Sequence, residues 1–185
     1  QGNRLINSTV ARNSSGVIVG NNNGHEIVNC ILWANNTNSS TISNALISYS
    51  AFSFVPPEGT GNIQISTNNE LGPKFSNPTN WYGYNVSGWA NADWSLLNQS
   101  PCVNSGNMSL LPDEIITDIF GNPRIMGCEI DMGAIESNEG SPEVIFTVNE
   151  DIIENNYLAD FCFGQEIIFV FDEALSGELP FTISW

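Results

Sequence analysis

The sequence has very little positive charge and almost no histidine. Four Lys and Arg residues stand against 20 Asp and Glu, so the formal net charge is −16, and His25 is the only histidine. So acidic a chain repels phosphate backbones and anionic lipid, which argues against nucleic-acid binding. The stretch beginning at His25 has Asn29 where a zinc protease of the HExxH type needs its second histidine. Histidine-dependent hydrolysis therefore finds little support.

Other features are missing as well. No apolar run approaches the roughly 20 residues of a membrane helix, so no membrane insertion is expected. The four cysteines include no CxxC pair, which disfavours zinc. The chain begins at Gln1 without an initiator Met or a signal-like segment and stops directly after the strand-like Phe181–Ser184. We interpret it as a piece of a longer protein.

A repeat occupies residues 4–55. The stretch Ile6–Asn13 aligns with Val28–Asn35 at an offset of 22, and a third copy, Ile47–Ser50, follows 19 residues after Val28. Apolar and small polar residues alternate within each copy, as in a half-buried strand. A period near 20 residues with a β pattern predicts a solenoid whose turns stack and share a core. Asn7 and Asn29 occupy the same position of the repeat. They either form an internal ladder of stacked amide side chains or lie in exposed turns.

Three turn-rich phrases occupy residues 94–136: Ser100–Gly106, Asp118–Arg124 and Cys128–Glu136. Each contains Gly together with Pro, Asn or Asp, the residues that tight turns favour. Their order resembles the C-terminal closing region of bacterial surface β-helix proteins, the choice-of-anchor Q type common in large secreted proteins of Bacteroidota. The resemblance spans roughly residues 28–136.

The resemblance implies an all-β fold, with residues 1–137 forming the C-terminal turns and irregular cap of a right-handed parallel β-helix. The closing region is then expected to plug the end of the stack. We expect Asp118 to cap the turn to Gly121, and Arg124 to pair with Asp131 or Glu136 and so lock the last strand in place. A calcium site using Asp118 and Asp131 is the alternative, and we predict no other cofactor.

Two further predictions concern this region. Cys102 and Cys128 lie at its two ends, and we expect a disulfide between them, with two separate buried thiols as the alternative. The aromatic residues before it have two interpretations. They either cover the exposed end of the solenoid or present flat rings to a glycan. The candidate glycan contacts are Trp81, Tyr82, Tyr84 and Trp89.

The C-terminal part has a different composition. Residues 138–142 read as a polar linker before residues 143–185, and the whole segment 138–185 carries 10 of the 20 acids and no base. The phrases Phe161–Glu166 and Gly177–Trp185 resemble the N-terminal half of a bacterial immunoglobulin-like module, with Cys162 expected to pair beyond the chain. Only about half of such a sandwich would be present.

Together these features predict a non-catalytic structural or adhesin segment of a large exported protein at the cell surface, a type IX secretion substrate. Its expected partners are neighbouring domains of the same chain, with extracellular glycans or the secretion machinery as further candidates. Two alternatives stay open: a glycan-binding module, and the non-catalytic end of a polysaccharide-degrading enzyme. Residues 1–55 contain only Glu26, Arg4 and Arg12 as charged groups apart from His25, too few for a lyase or hydrolase site on the stacked face.

Overall fold

The computed structural model describes residues 2–17, 24–36, 45–83, 88–126 and 129–137, and the backbone of two short strands further on. The chain divides into two compact units, Gln1–Gly140 and Ser141–Trp185, and the division falls within the predicted linker. In the second unit the described strands are Thr147–Val148 and Asp151–Ile152, which pair antiparallel. The rest of the predicted immunoglobulin-like module, including Cys162, lies outside the described residues.

The first unit is built on two parallel sheets. One sheet contains the strands β1 (Arg4–Ile6), β3 (His25–Val28) and β5 (Ala45–Ser48). The other contains β2 (Thr9–Ala11), β4 (Ile31–Trp33), β6 (Ala51–Phe52) and β7 (Ile63–Gln64). The chain visits the two sheets alternately, so that β1–β2, β3–β4 and β5–β6 form three successive coils. The described residues include three short 3-10 turns, Asn69–Leu71, Trp89–Asn91 and Met108–Leu110, and no α-helix, which confirms the all-β prediction.

No helix among the described residues is long and apolar enough to cross a membrane.

The register of the first two coils is the predicted one. Ile6 pairs with Val28 in a parallel ladder, at the offset of 22 residues. The third copy was aligned wrongly by one residue, because Val28 pairs with Ser48 and not with Ile47. Ile47 pairs instead with Ile27, and both side chains are buried. A one-residue slip would turn every side chain of β5 to the opposite face, so the burial of Ile47 fixes the true register.

The coils turn at equivalent positions between the two sheets. Asn7, Asn29 and Tyr49 each follow a strand of the first sheet and have φ values of 45°, 53° and 47°. Asparagine adopts this left-handed conformation more readily than most residues. The repeated asparagine in the sequence therefore marks the sharp corner of each of the first two coils.

The interior lies between the two sheets. Register places Leu5, Ile27 and Ile47 in one row on the first sheet. It places Val10, Leu32 and Phe52 in the facing row on the second. All six belong to one apolar cluster. Stacking buries each coil's apolar side chains against those of its neighbours, as a single coil could not do alone.

A second apolar layer covers the outer face of the second sheet. Trp33 points outward from β4 and packs edge-on against Phe75, with ring centroids 5.6 Å apart. Phe75 belongs to an antiparallel hairpin formed by β8 (Phe75–Asn77) and β9 (Asp93–Leu96). Met132, from the C-terminal part of the unit, joins the same cluster. The closing region was expected to plug the end of the stack, but it lies along the side of the coils instead.

A different segment closes the end of the stack at β5. The Asn62 side chain accepts a hydrogen bond from Ser50 N at 3.1 Å and donates to Ile47 O at 3.2 Å. Tyr49 N donates to Thr60 O at 2.8 Å. A Cβ atom on Gly59 would lie 1.8 Å from Ile47 O, so this close approach requires glycine. The segment Gly59–Asn62 therefore bonds to the main chain at the C-terminal end of β5 and just beyond it, a place where the strand edge would otherwise be open.

Candidate functional site

Buried charged side chains mark the contact between the coils and the C-terminal part of the first unit. We call that part the covering segment, residues 100–126 and 129–137. The structure brings together Asp118, Arg124, Asp131 and Glu136, all predicted as structural residues, and each is buried. One cation and three carboxylates in a region without solvent require specific partners, because burying an unpaired charge is costly.

Asp118 organises a tight turn. Its Oδ1 accepts hydrogen bonds from Phe120 N at 2.8 Å and Asn122 N at 2.9 Å, and Gly121 within the turn has a φ of 87°. Its Oδ2 accepts from Glu136 N at 3.1 Å, which joins the turn to the end of the covering segment. Burial acts to raise the pKa of Asp118, but these N–H donors outweigh it and hold the pKa below its ordinary value.

Arg124 contacts both the covering segment and the first coil. Its Nη2 lies 3.2 Å from Glu136 Oε1 and donates to Gly133 O at 2.6 Å. Arginine nitrogens only donate, so the Asn7 amide is assigned with its oxygen toward Arg124, accepting from Nε at 2.9 Å. Of the two predicted carboxylate partners, Arg124 pairs with Glu136. Its contact with Asp131 is to the main-chain oxygen, at 3.4 Å. Burial lowers the pKa of Arg124 despite the surrounding carboxylates.

The predicted calcium site does not match the donor arrangement. Asp131 Oδ1 accepts from Asn104 N at 2.8 Å, and Oδ2 accepts from Ser137 N at 2.7 Å. The carboxylate oxygens of Asp118 also face N–H groups, which a cation would repel. No group of three or more His, Cys, Asp or Glu side chains among the described residues is arranged to hold a metal ion. Asp118 and Asp131 thus serve as acceptors for backbone N–H groups rather than as calcium ligands.

Asn29 connects the second coil to the covering segment. Its Oδ1 accepts from Asn107 N at 2.9 Å, and its Nδ2 donates to Asn107 O at 3.2 Å. Its main-chain oxygen accepts from Gly133 N at 2.8 Å. The amides of Asn7 and Asn29 approach to 3.4 Å, but each is bonded more closely to the covering segment. The predicted amide ladder is therefore replaced by bonds that lead out of the stack.

The predicted disulfide is not formed at Cys102. This residue is a buried free thiol within the outer apolar layer, and burial raises its pKa to about 12. Its main-chain oxygen accepts from Met132 N at 2.9 Å, so hydrogen bonding rather than a covalent link holds this part of the covering segment. Cys128 lies outside the described residues. The expected last strand is also absent, since residues 129–137 are irregular.

The aromatic run divides into exposed and buried members. Trp81 is 71% exposed and Trp89 is 65% exposed, so neither covers the stack. Trp94 packs edge-on against Phe75, with centroids 5.2 Å apart. Tyr82 lies with its ring 5.6 Å from the guanidinium of Arg12. Tyr84 lies outside the described residues. The capping interpretation is therefore wrong for Trp81 and Trp89, and Trp94 helps to cover the outer face of the second sheet rather than the end of the stack.

Two features were not predicted from the sequence. The Arg12 guanidinium lies 4.4 Å from the Trp33 ring centroid and 5.6 Å from the Tyr82 ring centroid, so it makes cation–π contacts with both rings. A cavity of about 680 Å³ also opens between β2, β9 and the covering segment. Its lining includes Ala11 and Phe120. No sequence motif marks either feature, because both depend on which surfaces the hairpin and the covering segment contact.

Comparison of the chain with protein-family models found no match, and comparison with curated proteins found none.

The burial of Glu136 predicts that stability falls as pH rises. Burial raises its pKa from the usual 4.5 to about 8, against the opposing effect of Arg124. Between these values the folded state holds a proton that the unfolded state has lost, so the free energy of unfolding decreases with increasing pH. The decrease should amount to a few kcal/mol, because one pKa unit corresponds to about 1.4 kcal/mol. Urea unfolding at pH 5.0, 6.5 and 8.5 measures it.

The matched variant is Glu136→Gln, which removes the titrating group and keeps the shape. Its unfolding free energy should vary much less over the same pH range. Burial also raises the pKa of Asp131, so Asp131 likewise lowers the free energy of unfolding as pH rises. The pKa of Asp118 is lowered, so Asp118 changes the free energy of unfolding only at pH values below its ordinary pKa. An identical slope in the wild type and Glu136→Gln would contradict the assignment.

Proposed function

We propose that the first unit is a rigid, non-catalytic segment of a parallel β-helix, and that the chain belongs to a large exported surface protein. Parallel ladders between successive coils support the β-helix, with Leu5, Ile27 and Ile47 in one interior row. The immunoglobulin-like nature of the second unit rests on the sequence resemblance, as do the adhesin role, the type IX export route and the origin in Bacteroidota.

One observation carries the structural role: the covering segment bonds to two successive coils at once. Ala134 N donates to Thr9 Oγ1 of the first coil at 3.1 Å, and Gly133 N donates to Asn29 O of the second at 2.8 Å. The ion pair between Arg124 and Glu136 lies in the same contact between the covering segment and the coils. The arrangement suits a spacer that resists separation of its coils.

A glycan-binding role is the second candidate, favoured by the exposure of Trp81 and Trp89. Both lie in the loop that joins β8 to β9, and both rings are largely exposed to solvent. Aromatic faces pack well against the C–H groups of sugars while leaving hydroxyls to solvent. The third alternative, the non-catalytic end of a polysaccharide-degrading enzyme, depends on residues upstream of this chain.

A glycan array combined with thermal unfolding separates the first two candidates. If the segment is purely structural, the wild-type chain should give no glycan-dependent signal. If the loop binds glycans, a signal should appear and be lost in Trp81→Ala and Trp89→Ala, with the thermal midpoint unchanged. Trp94→Ala is the control: its ring is half-buried against the outer apolar layer, so it should lower the thermal midpoint, at a cost of about 2 kcal/mol. A reproducible signal abolished by the two exposed variants would refute the purely structural proposal.

A further inference from the structure

The two ends of the coil stack differ in how completely their interior is covered. At the β5 end, Ile47 and Phe52 are buried. At the β1–β2 end, Leu5 and Val10 are only half-buried, although Ile27 and Leu32, one coil further in, are buried. The same interior rows are therefore closed at one end and open at the other.

Backbone pairing shows the same difference. Among the described residues, β1 pairs only with β3, and β2 pairs only with β4. The main chain of the first coil donates hydrogen bonds to the second coil, including Asn7 N to Val28 O at 3.0 Å and Arg12 N to Trp33 O at 3.2 Å. Bonding alternates along a parallel strand, so the amides of Ile6 and Ala11 face away from the second coil. An open edge of this kind is a template for another strand.

The cavity of about 680 Å³ lies beside this open end, on the outer side of β2. It lies next to Thr9 and Ala11, the outward-facing residues of β2, and its other walls include Ile119 and Phe120 of the covering segment. Ile119 is 71% exposed and Phe120 is 67% exposed. The apolar layer that encloses Trp33 beside the second coil thus continues past the first coil as a cavity, which no described side chain of the coils fills. An outward side chain from one more coil would occupy that space.

From these observations we infer that the β1–β2 end docks one further coil of the same polypeptide, preceding Gly2 and offset by 22 residues. Its two strands continue both ladders in parallel, its inward side chains cover Leu5 and Val10, and one outward apolar side chain enters the cavity. The closed β5 end excludes head-to-tail stacking of two copies through their coils. The inference deepens the proposed structural function and rests on it, because it names what the open end binds.

The test adds a copy of residues 2–23 directly before Gly2 of the full chain and measures amide hydrogen exchange. Exchange at Ile6 and Ala11 should slow at least 10-fold, and exchange at Ile27 and Leu32 should change little. A matched extension with proline at the copies of Leu5 and Val10 cannot form the ladder, so it should leave Ile6 and Ala11 as fast as in the original chain.

The cavity is tested separately within the extended chain. Replacing the copy of Ala11 by leucine should raise the thermal midpoint, and replacing it by aspartate should lower it. Unchanged exchange at Ile6 and Ala11 in the extended chain would overturn the inference. So would protection of these amides in the original chain that grows with concentration alongside a dimer, because the occupant would then be a second copy. Glycan binding by the loop would refute the proposed function without altering these amides, so the two failures are distinguishable.

Discussion

At about pH 9, where Glu136 is mostly ionised, replacing Arg124 by methionine is expected to destabilise the first unit by about 3–5 kcal/mol, the cost of breaking a buried ion pair by removing one partner. Arg124 is 2% exposed and is the only cation that the described contacts place beside Asp118, Asp131 and Glu136. Its loss also leaves the oxygens of Asn7 and Gly133 without their donor. Chemical unfolding monitored by tryptophan fluorescence measures the loss.

The control is Arg4→Met. Arg4 also pairs with a glutamate one coil away, Glu26, at 2.5 Å, but its side chain is 49% exposed. Exposed pairs contribute only about 0–1 kcal/mol, so this variant should unfold nearly like the wild type. The double variant Arg124→Met with Glu136→Gln should recover part of the stability by removing the unpaired acid. Equal losses in Arg124→Met and Arg4→Met would show that the covering segment is not held by a buried charge.

Replacing Gly133 by alanine is expected to destabilise by about 2–5 kcal/mol. Its φ of 103° strains any residue with a Cβ, at a cost of roughly 1–2 kcal/mol. The added Cβ would also lie 2.7 Å from Thr9 Oγ1 and 2.9 Å from Ile31 Cδ1, and such overpacking costs a further 1–3 kcal/mol or so. Denaturant midpoints at constant m-value give the difference.

Gly121→Ala separates the two contributions. Gly121 has a φ of 87°, but its added Cβ would meet nothing within 4 Å. It should therefore show the backbone strain alone, and the excess cost at Gly133 reports how closely the covering segment approaches the first two coils. If Gly133→Ala were no worse than Gly121→Ala, the covering segment would have to lie further from Thr9 and Ile31.

The coil register could be predicted because two copies align over eight positions and share the corner asparagines Asn7 and Asn29. The third copy failed because hydrophobicity alone equated Ile47 with Val28. Only burial on a definite face distinguishes that alignment from the correct one, which pairs Val28 with Ser48. Sequence similarity between short strands does not determine which of two adjacent registers fills the interior.

The sequence of β4 itself indicates that a second layer covers the side of the coils. Ile31, Leu32 and Trp33 are consecutive apolar residues, and all three are buried. A strand covered on one face should alternate, so an unbroken apolar strand indicates cover on both faces. The turn phrases around Asp118 and Gly121 specify local conformation, but nothing in them identifies the surface that the turns contact. The positions of Arg124 and Cys102 could not be derived for the same reason.

The central claim is that the covering segment lies along the side of stacked coils, and nuclear Overhauser contacts of Gly133 test it most directly. Its α-protons should show contacts to both the Thr9 side chain and the Ile31 δ1 methyl, residues 22 positions apart on neighbouring strands. A segment on the side touches successive coils, whereas a plug touches only the last one. Contacts from Gly133 to Ile47 or Phe52 in place of Thr9 and Ile31 would contradict the account.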